Sequence, residues 1–272
     1  MSAETKPTKA LAKKTSESPD NPVKSADQVT WGGWSAIFVA LGVFLLAQLI
    51  AIQAVSIYPL IKHWSRSAAD QWLNNSVNGQ FFYYLIAETL TVLAILGFIR
   101  WRKAKLASIG LKHPKLIDIP YAFLGLVIYL PLLIVAVVVA EELFHIKLNQ
   151  QQAIGFSQSV TGWPLVLVFI SLVILPPIAE EIMFRGFVYS GLKRSLPKVW
   201  AVILTCVVFA FPHLLESVGG GPLWVAGVDT FVLSLTLIWL REKTGRLYAG
   251  MGLHALKNFI AFIQLYPIIH FH

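Results

Sequence analysis

Long apolar runs separated by short polar or basic segments organise this chain. Seven are read: Trp31–Ile57, Phe81–Ile99, Ile119–Ala140, Trp163–Phe184, Val199–Pro212, Leu223–Leu240 and Leu247–Phe271. A helix needs ~20 residues to cross a ~30 Å hydrocarbon core, and most of the runs reach that length. The pattern predicts an all-α, polytopic membrane bundle of about seven transmembrane helices. Val199–Pro212 is short. Either its helix begins in the preceding amphipathic stretch, or it stops at mid-depth beside a polar cavity, where protein or water must cover the backbone.

Composition agrees: 56% of the residues are hydrophobic and 13% charged, far from a soluble domain. Residues 1–30 are rich in Lys, Ser, Pro and Thr without apolar periodicity, and read as a disordered cytoplasmic tail before a membrane domain spanning 31–272. No cleavable signal peptide is apparent, because the first apolar run starts at Trp31 and is long enough to remain as an anchor. The single cysteine, Cys206, excludes an intrachain disulfide.

The net charge of +8 reflects topology, not nucleic-acid binding. With the N-terminus in the cytoplasm, the inner segments 1–30, 100–115, 185–198 and 241–246 hold 5, 6, 4 and 3 Lys/Arg, against 2 and 1 in the outer loops. Such a bias is the orientation signal of a multi-pass protein, here placed in the plasma membrane. The stretch from Arg100 to Lys115 mixes basic and apolar residues and suits the inner surface. No internal repeat is visible, against a transporter built from inverted halves.

The candidate chemistry lies in the second half. Glu180 and Glu181 follow an apolar run, where carboxylates are costly. Pro176-Pro177 just before them bends the helix and frees backbone groups near the acids. Glu181 and Arg185 stand at i, i+4 and are spaced to pair. Glu180 is rotated away without that partner, which leaves it suited to act as a general base. On spacing alone, an interfacial acid pair capped by the basic loop is the other reading. His213 ends the sequence Phe209-Ala-Phe-Pro-His and taken alone reads as readily as a core histidine. His254 and Asn258 share a helix face, either as donors to one oxyanion or as a helix–helix hydrogen-bonding pair.

Other polar residues have plainer readings. Glu141-Glu142, near Lys147, looks like a solvated helix end. Glu88 and Asp229 are expected to face the bundle interior and pair with Arg or polar groups, Cys206 to be a small buried residue, and His270 and His272 to be exposed at the terminus. Gly219-Gly220-Gly221-Pro222 marks a loop.

Glu180-Glu181-x-x-x-Arg185, Phe209-x-x-x-His213 and His254-x-x-x-Asn258, in that order, resemble the motifs of the CAAX protease and bacteriocin-processing (CPBP, or Abi) family of intramembrane proteases. Phe184-Arg185-Gly186 and Lys243-Thr-Gly-Arg-Leu247 are similar to family members as well, and the likeness covers about residues 163–264. The resemblance implies peptide-bond hydrolysis in a cavity sunk into the membrane and opening toward the cytoplasmic half. Glu180 would activate water with the help of His213. His254 and Asn258 would stabilise the oxyanion, with Glu181, Arg185 and Phe209 in support.

Members are often labelled metalloproteases, but the chain lacks His-Glu-x-x-His. The expectation is no obligatory metal; a zinc ion, if present, would draw on Glu180, Glu181, His213 and His254. Asp229 inside the sixth run and Pro212 directly before His213 depart from the family's pattern. The implied partners are membrane lipid and a protein or peptide substrate, such as a C-terminal or lipidated segment. Two rival functions remain: a non-catalytic bacteriocin-immunity or binding protein, and a proton-coupled transporter using Glu88, Asp229 and Glu180 as a relay.

Overall fold

The computed structural model describes residues 29–146, 150, 152, 155–218 and 221–266. The tail expected over 1–30 falls almost wholly outside them, as do Lys147, Gly219, Gly220, His270 and His272. Eight helices are labelled here: α1 Gly33–Ile61, α2 Arg66–Asn75, α3 Val77–Trp101, α4 Asp118–Glu142, α5 Pro164–Ser195, α6 Lys198–His213, α7 Trp224–Thr244 and α8 Tyr248–Leu265.

Each of the seven apolar runs contributes a helix among the described residues. Among the described residues, α1, α3, α4, α5 and α7 are long and apolar enough to cross a membrane. At 16 residues α6 is too short, and α8, at 18 residues, is long enough but less apolar, so the count of seven spans is not reproduced in full. Because α6 starts directly after Pro197, it does not borrow length from the preceding stretch. It simply stops at His213.

Burial ranks the helices. The most apolar window of α4 is 17% buried and that of α7 56%, so α4 is peripheral and α7 central. At the centre of the bundle runs α5, where every residue from Glu181 to Val188 is buried. Large side chains point outward from α1 and α4, among them Phe38, Leu46, Leu49, Val127 and Ile134. Lipid, being as apolar as they are, is their expected neighbour. Facing inward, Ala36, Ala40, Ala47 and Ala51 of α1 form a small-residue stripe that lets helices approach closely. At Gly191 of α5, an added Cβ would lie 2.7 Å from the Ala36 Cβ. Nearby, Trp31 Nε1 donates to the Phe187 carbonyl at 3.2 Å.

Local signals set the ends. Ser65 accepts from the Ala68 N–H at the start of α2, and Ser76 from the Gly79 N–H at the start of α3. The surface helix α2 was not anticipated. The segment from Arg100 to Lys115 holds a single turn, Leu106–Ile109, anchored by the fully buried Ile109. Gly110, at φ 88°, lets the Arg241 guanidinium pack against the backbone, where a Cβ would sit 2.5 Å from it. Arg246, in the α7–α8 turn, grips Asp118 with Nη2 at 2.7 Å and Nε at 3.0 Å, tying α4 to that turn.

Gly191→Ala should lower stability by about 1–3 kcal/mol through overpacking against Ala36 and Trp31. Gly42→Ala, with nothing within 4 Å of the added methyl group, should be neutral or gain up to about 1 kcal/mol. Unfolding midpoints in detergent check both.

Candidate active site

The site grows out of irregularities in α5. Ile170–Ile174 is a π-helical turn, in which the Leu175 N–H reaches back five residues to the Ile170 carbonyl. The Leu172 carbonyl would take its helical bond from residue 176 or, with π geometry, from residue 177. Both are prolines and have no N–H to give. Asn258 of α8 fills the vacancy, its Nδ2 donating to the Leu172 carbonyl at 2.9 Å. The prolines do free backbone near the acids, and a side chain from another helix satisfies it.

A second π-helical stretch, Glu181–Val188, begins at the acids themselves. Such insertions re-aim side chains and recur at functional sites. As the spacing predicts, Arg185 Nη1 donates to Glu181 Oε1, at 2.8 Å, and neither side chain is more than 1% exposed. The guanidinium carbon sits 4.0 Å from the centroid of the Phe209 ring, a cation–π contact. On the other side α8 passes close because residue 250 is glycine: a Cβ there would meet Glu181 Oε2 at 2.7 Å.

His254 is 4% exposed and lies between the two acids. Its Nε2 is 3.7 Å from Glu180 Oε2, and its Nδ1 is 3.7 Å from Glu181 Oε1. The Glu180 side chain keeps 19% exposure against 1% for Glu181. Glu180 Oε2 and His254 Nδ1 have no hydrogen-bond partner among the described residues. Phe209 gathers the rest, with its ring centroid 5.3 Å from that of His213, 6.0 Å from that of His254 and 5.0 Å from that of Phe184.

A cavity of about 300 Å³ joins Glu180 to His213, and its wall also carries Glu88, Gln48, Tyr84 and Glu216. His254 and Asn258 lie outside its lining, with His254 behind Glu180 and Asn258 committed to Leu172. An opening toward the cytoplasmic half was the expectation; the lining residues run from Glu180 to His213 and Glu216. His213 ends α6 far from Lys198, Glu216 follows it, and Gln152 of the 143–163 connection reaches Glu216. The polar lining therefore rises from mid-helix toward the end of the bundle opposite the basic segments.

The remaining polar residues sort as follows. Asp229 pairs with Lys257 at 2.8 Å and accepts from the Tyr129 hydroxyl, outside the lining of the Glu180 cavity. A relay running Glu88–Asp229–Glu180 is therefore interrupted. Cys206 is fully buried in the apolar core, and Glu141 and Glu142 are exposed at the end of α4. Among the described residues no three His, Cys, Asp or Glu side chains form a group able to hold a metal ion. Glu181 is taken by Arg185, whose positive charge also opposes a cation, and His213 Nδ1 bonds Glu216. The donor set does not fit zinc as arranged. Sequence reasoning passed over Glu216, although its i, i+3 spacing from His213 was there to be read.

Comparison with known proteins agrees with the resemblance drawn from the three motifs. Residues 161–260 match the family model described as type II CAAX prenyl endopeptidase Rce1-like. The chain is 23% identical over 243 residues to the membrane-embedded CAAX protease MroQ of Staphylococcus aureus (strain USA300), covering 85% of this chain and 90% of that protein. It is 21% identical over 226 residues to the membrane peptidase candidate YdiL of Bacillus subtilis (strain 168), covering 83% and 87%. No solved structure gives a significant match. The chain thus resembles CAAX-type membrane proteases, and that relationship supports an intramembrane peptidase.

Arg185→Met should cost about 3–5 kcal/mol by stranding the buried Glu181 carboxylate. Combining it with Glu181→Gln should recover a large part of the loss. Unfolding in detergent of both single variants and the double variant measures the coupling.

Proposed function

We propose that the protein is an intramembrane endopeptidase that hydrolyses a peptide bond of a membrane-associated protein or peptide with water activated by Glu180 and His213. The observation that carries this reading is the shared cavity: the more exposed of two adjacent glutamates and a histidine line one polar chamber inside an apolar bundle.

In the proposed reaction Glu180 removes a proton from water as the oxygen bonds to the scissile carbonyl carbon. The carbonyl oxygen becomes an oxyanion, and a His254 N–H stabilises it once the imidazole, which rests behind Glu180, turns toward the cavity. The proton then passes to the leaving nitrogen as the C–N bond breaks, with His213 sharing the transfer. Glu181 and Arg185 keep the pair rigid. Asn258 acts chiefly by holding the Leu172 carbonyl, which fixes the turn that aims Glu180.

The catalysis is taken as metal-free because Glu181 Oε1 is paired with Arg185, whose positive charge opposes a cation, and His213 Nδ1 is bonded to Glu216. The protein is placed in the plasma membrane with a cytoplasmic N-terminus on the strength of its basic segments. Its substrate class is a membrane-bound polypeptide, with or without a lipid on its C-terminal segment.

The test is the reconstituted full-length protein with membrane-anchored peptides, lipidated and not, and products identified by mass. Glu180→Gln and His213→Asn should each reduce kcat by about 10²–10⁴ while leaving the unfolding midpoint in place. Full turnover by Glu180→Gln would remove the mechanism, and a wild-type protein that cleaves nothing would remove the function. Prolonged incubation with a strong zinc chelator should leave the rate unchanged; a loss restored by zinc overturns the metal-free reading.

A further inference from the structure

His213 does not stand alone at the end of α6. Its Nδ1 is 3.0 Å from Glu216 Oε1, and the other carboxylate oxygen of Glu216 accepts from Gln152 Nε2 at 2.6 Å. A backbone bridge between Gln152 and Ser217 runs alongside. Two residues earlier, Gln150 Nε2 donates to the Pro222 carbonyl at 2.7 Å, and its Oε1 accepts from the Trp224 N–H at 2.7 Å. A strap from the 143–163 connection thus holds the 214–223 loop at both ends. The same loop carries Glu216. On its remaining side the imidazole packs edge-on against Phe209, at 74° between planes.

We propose that Glu216 is a positioning residue that sets the tautomer of His213, with Gln152 as its brace. The inference rests on the reading above, in which His213 assists the activation of water. A neutral imidazole carries one proton, and a carboxylate is only an acceptor. With Glu216 at Nδ1, the proton sits on Nδ1 and the Nε2 lone pair is left to share the proton that Glu180 takes from water, as it passes to the leaving nitrogen. When Nε2 gains that proton the ring becomes an imidazolium, and the Glu216 carboxylate stabilises its charge. This division of labour, in which one group works and a carboxylate behind it orients, recurs in hydrolases of unrelated fold. Glu216 lies on the cavity wall beside His213. It acts through His213.

Two readouts test it on full-length protein in nanodiscs labelled with 15N-histidine, the His213 signal being identified by its loss in His213→Asn. The wild type should show a protonated Nδ1 and bare Nε2, and Glu216→Ala should show that tautomer lost. Glu216→Gln keeps an acceptor without the charge, so the tautomer should persist while kcat falls about 10- to 100-fold at unchanged KM. Gln152→Ala should give a smaller fall. Glu141→Gln, on the exposed end of α4, should match the wild type in both measurements.

An unchanged His213 signal in Glu216→Ala overturns the proposal, as does wild-type kcat in that variant. If the wild-type protein cleaves no peptide, the proposed function fails, yet the tautomer measurement still decides whether Glu216 orients His213.

Discussion

The ion pair between Glu181 and Arg185 is the interaction on which the rest of this site depends. A lone carboxylate at the centre of an apolar bundle is costly, and two adjacent ones repel. Pairing one of them with Arg185 neutralises half of that charge and fixes the register of α5. Glu180 is then the acid left to face the cavity. The same guanidinium lies on Phe209, whose ring touches both His213 and His254. Three short motifs spread over α5, α6 and α8 are thereby joined by one cation and one ring. Loss of either would loosen the geometry of the others without removing a reacting group.

Integrity of the helix and assembly of the site are the same problem here. Consecutive prolines would leave the Leu172 carbonyl unbonded in a region without bulk water, a cost that membrane segments avoid by recruiting side chains. Asn258 is that recruit. The π-helical turns on both sides of the acids absorb the mismatch and aim Glu180 and Glu181 in different directions. An asparagine that reads in sequence as an oxyanion donor is therefore also a structural bond, and α8 is pulled against α5 at the level where His254 meets the acids.

The polar lining rises toward the end of the bundle that carries the 143–163 and 214–223 connections. On that side glutamine side chains and a short backbone bridge hold the two segments together. The opposite end is closed by charge, through the Arg246–Asp118 clamp and the Lys193 and Lys198 contacts to Glu242. The bundle is thus fastened at its basic end and polar at its cavity end, an asymmetry that suits the proposed peptidase chamber.

Much of this was legible along the chain. Apolar runs longer than a lipid core is thick leave no choice but helices, and the spacing from Glu181 to Arg185 makes their pairing a local matter. The double proline announced its freed backbone. The order of the three motifs carried the family resemblance with which the comparisons agree, because each is short and lies within one helix. The tertiary structure decided what depends on helices meeting. It put Glu88 in the cavity and Asp229 outside it, committed Asn258 to Leu172, turned the lining away from the basic face, and brought Gln152 to Glu216 across 64 residues. No periodicity encodes such contacts, since they follow from which faces pack once lipid takes the large side chains outward and small residues let the backbones close in.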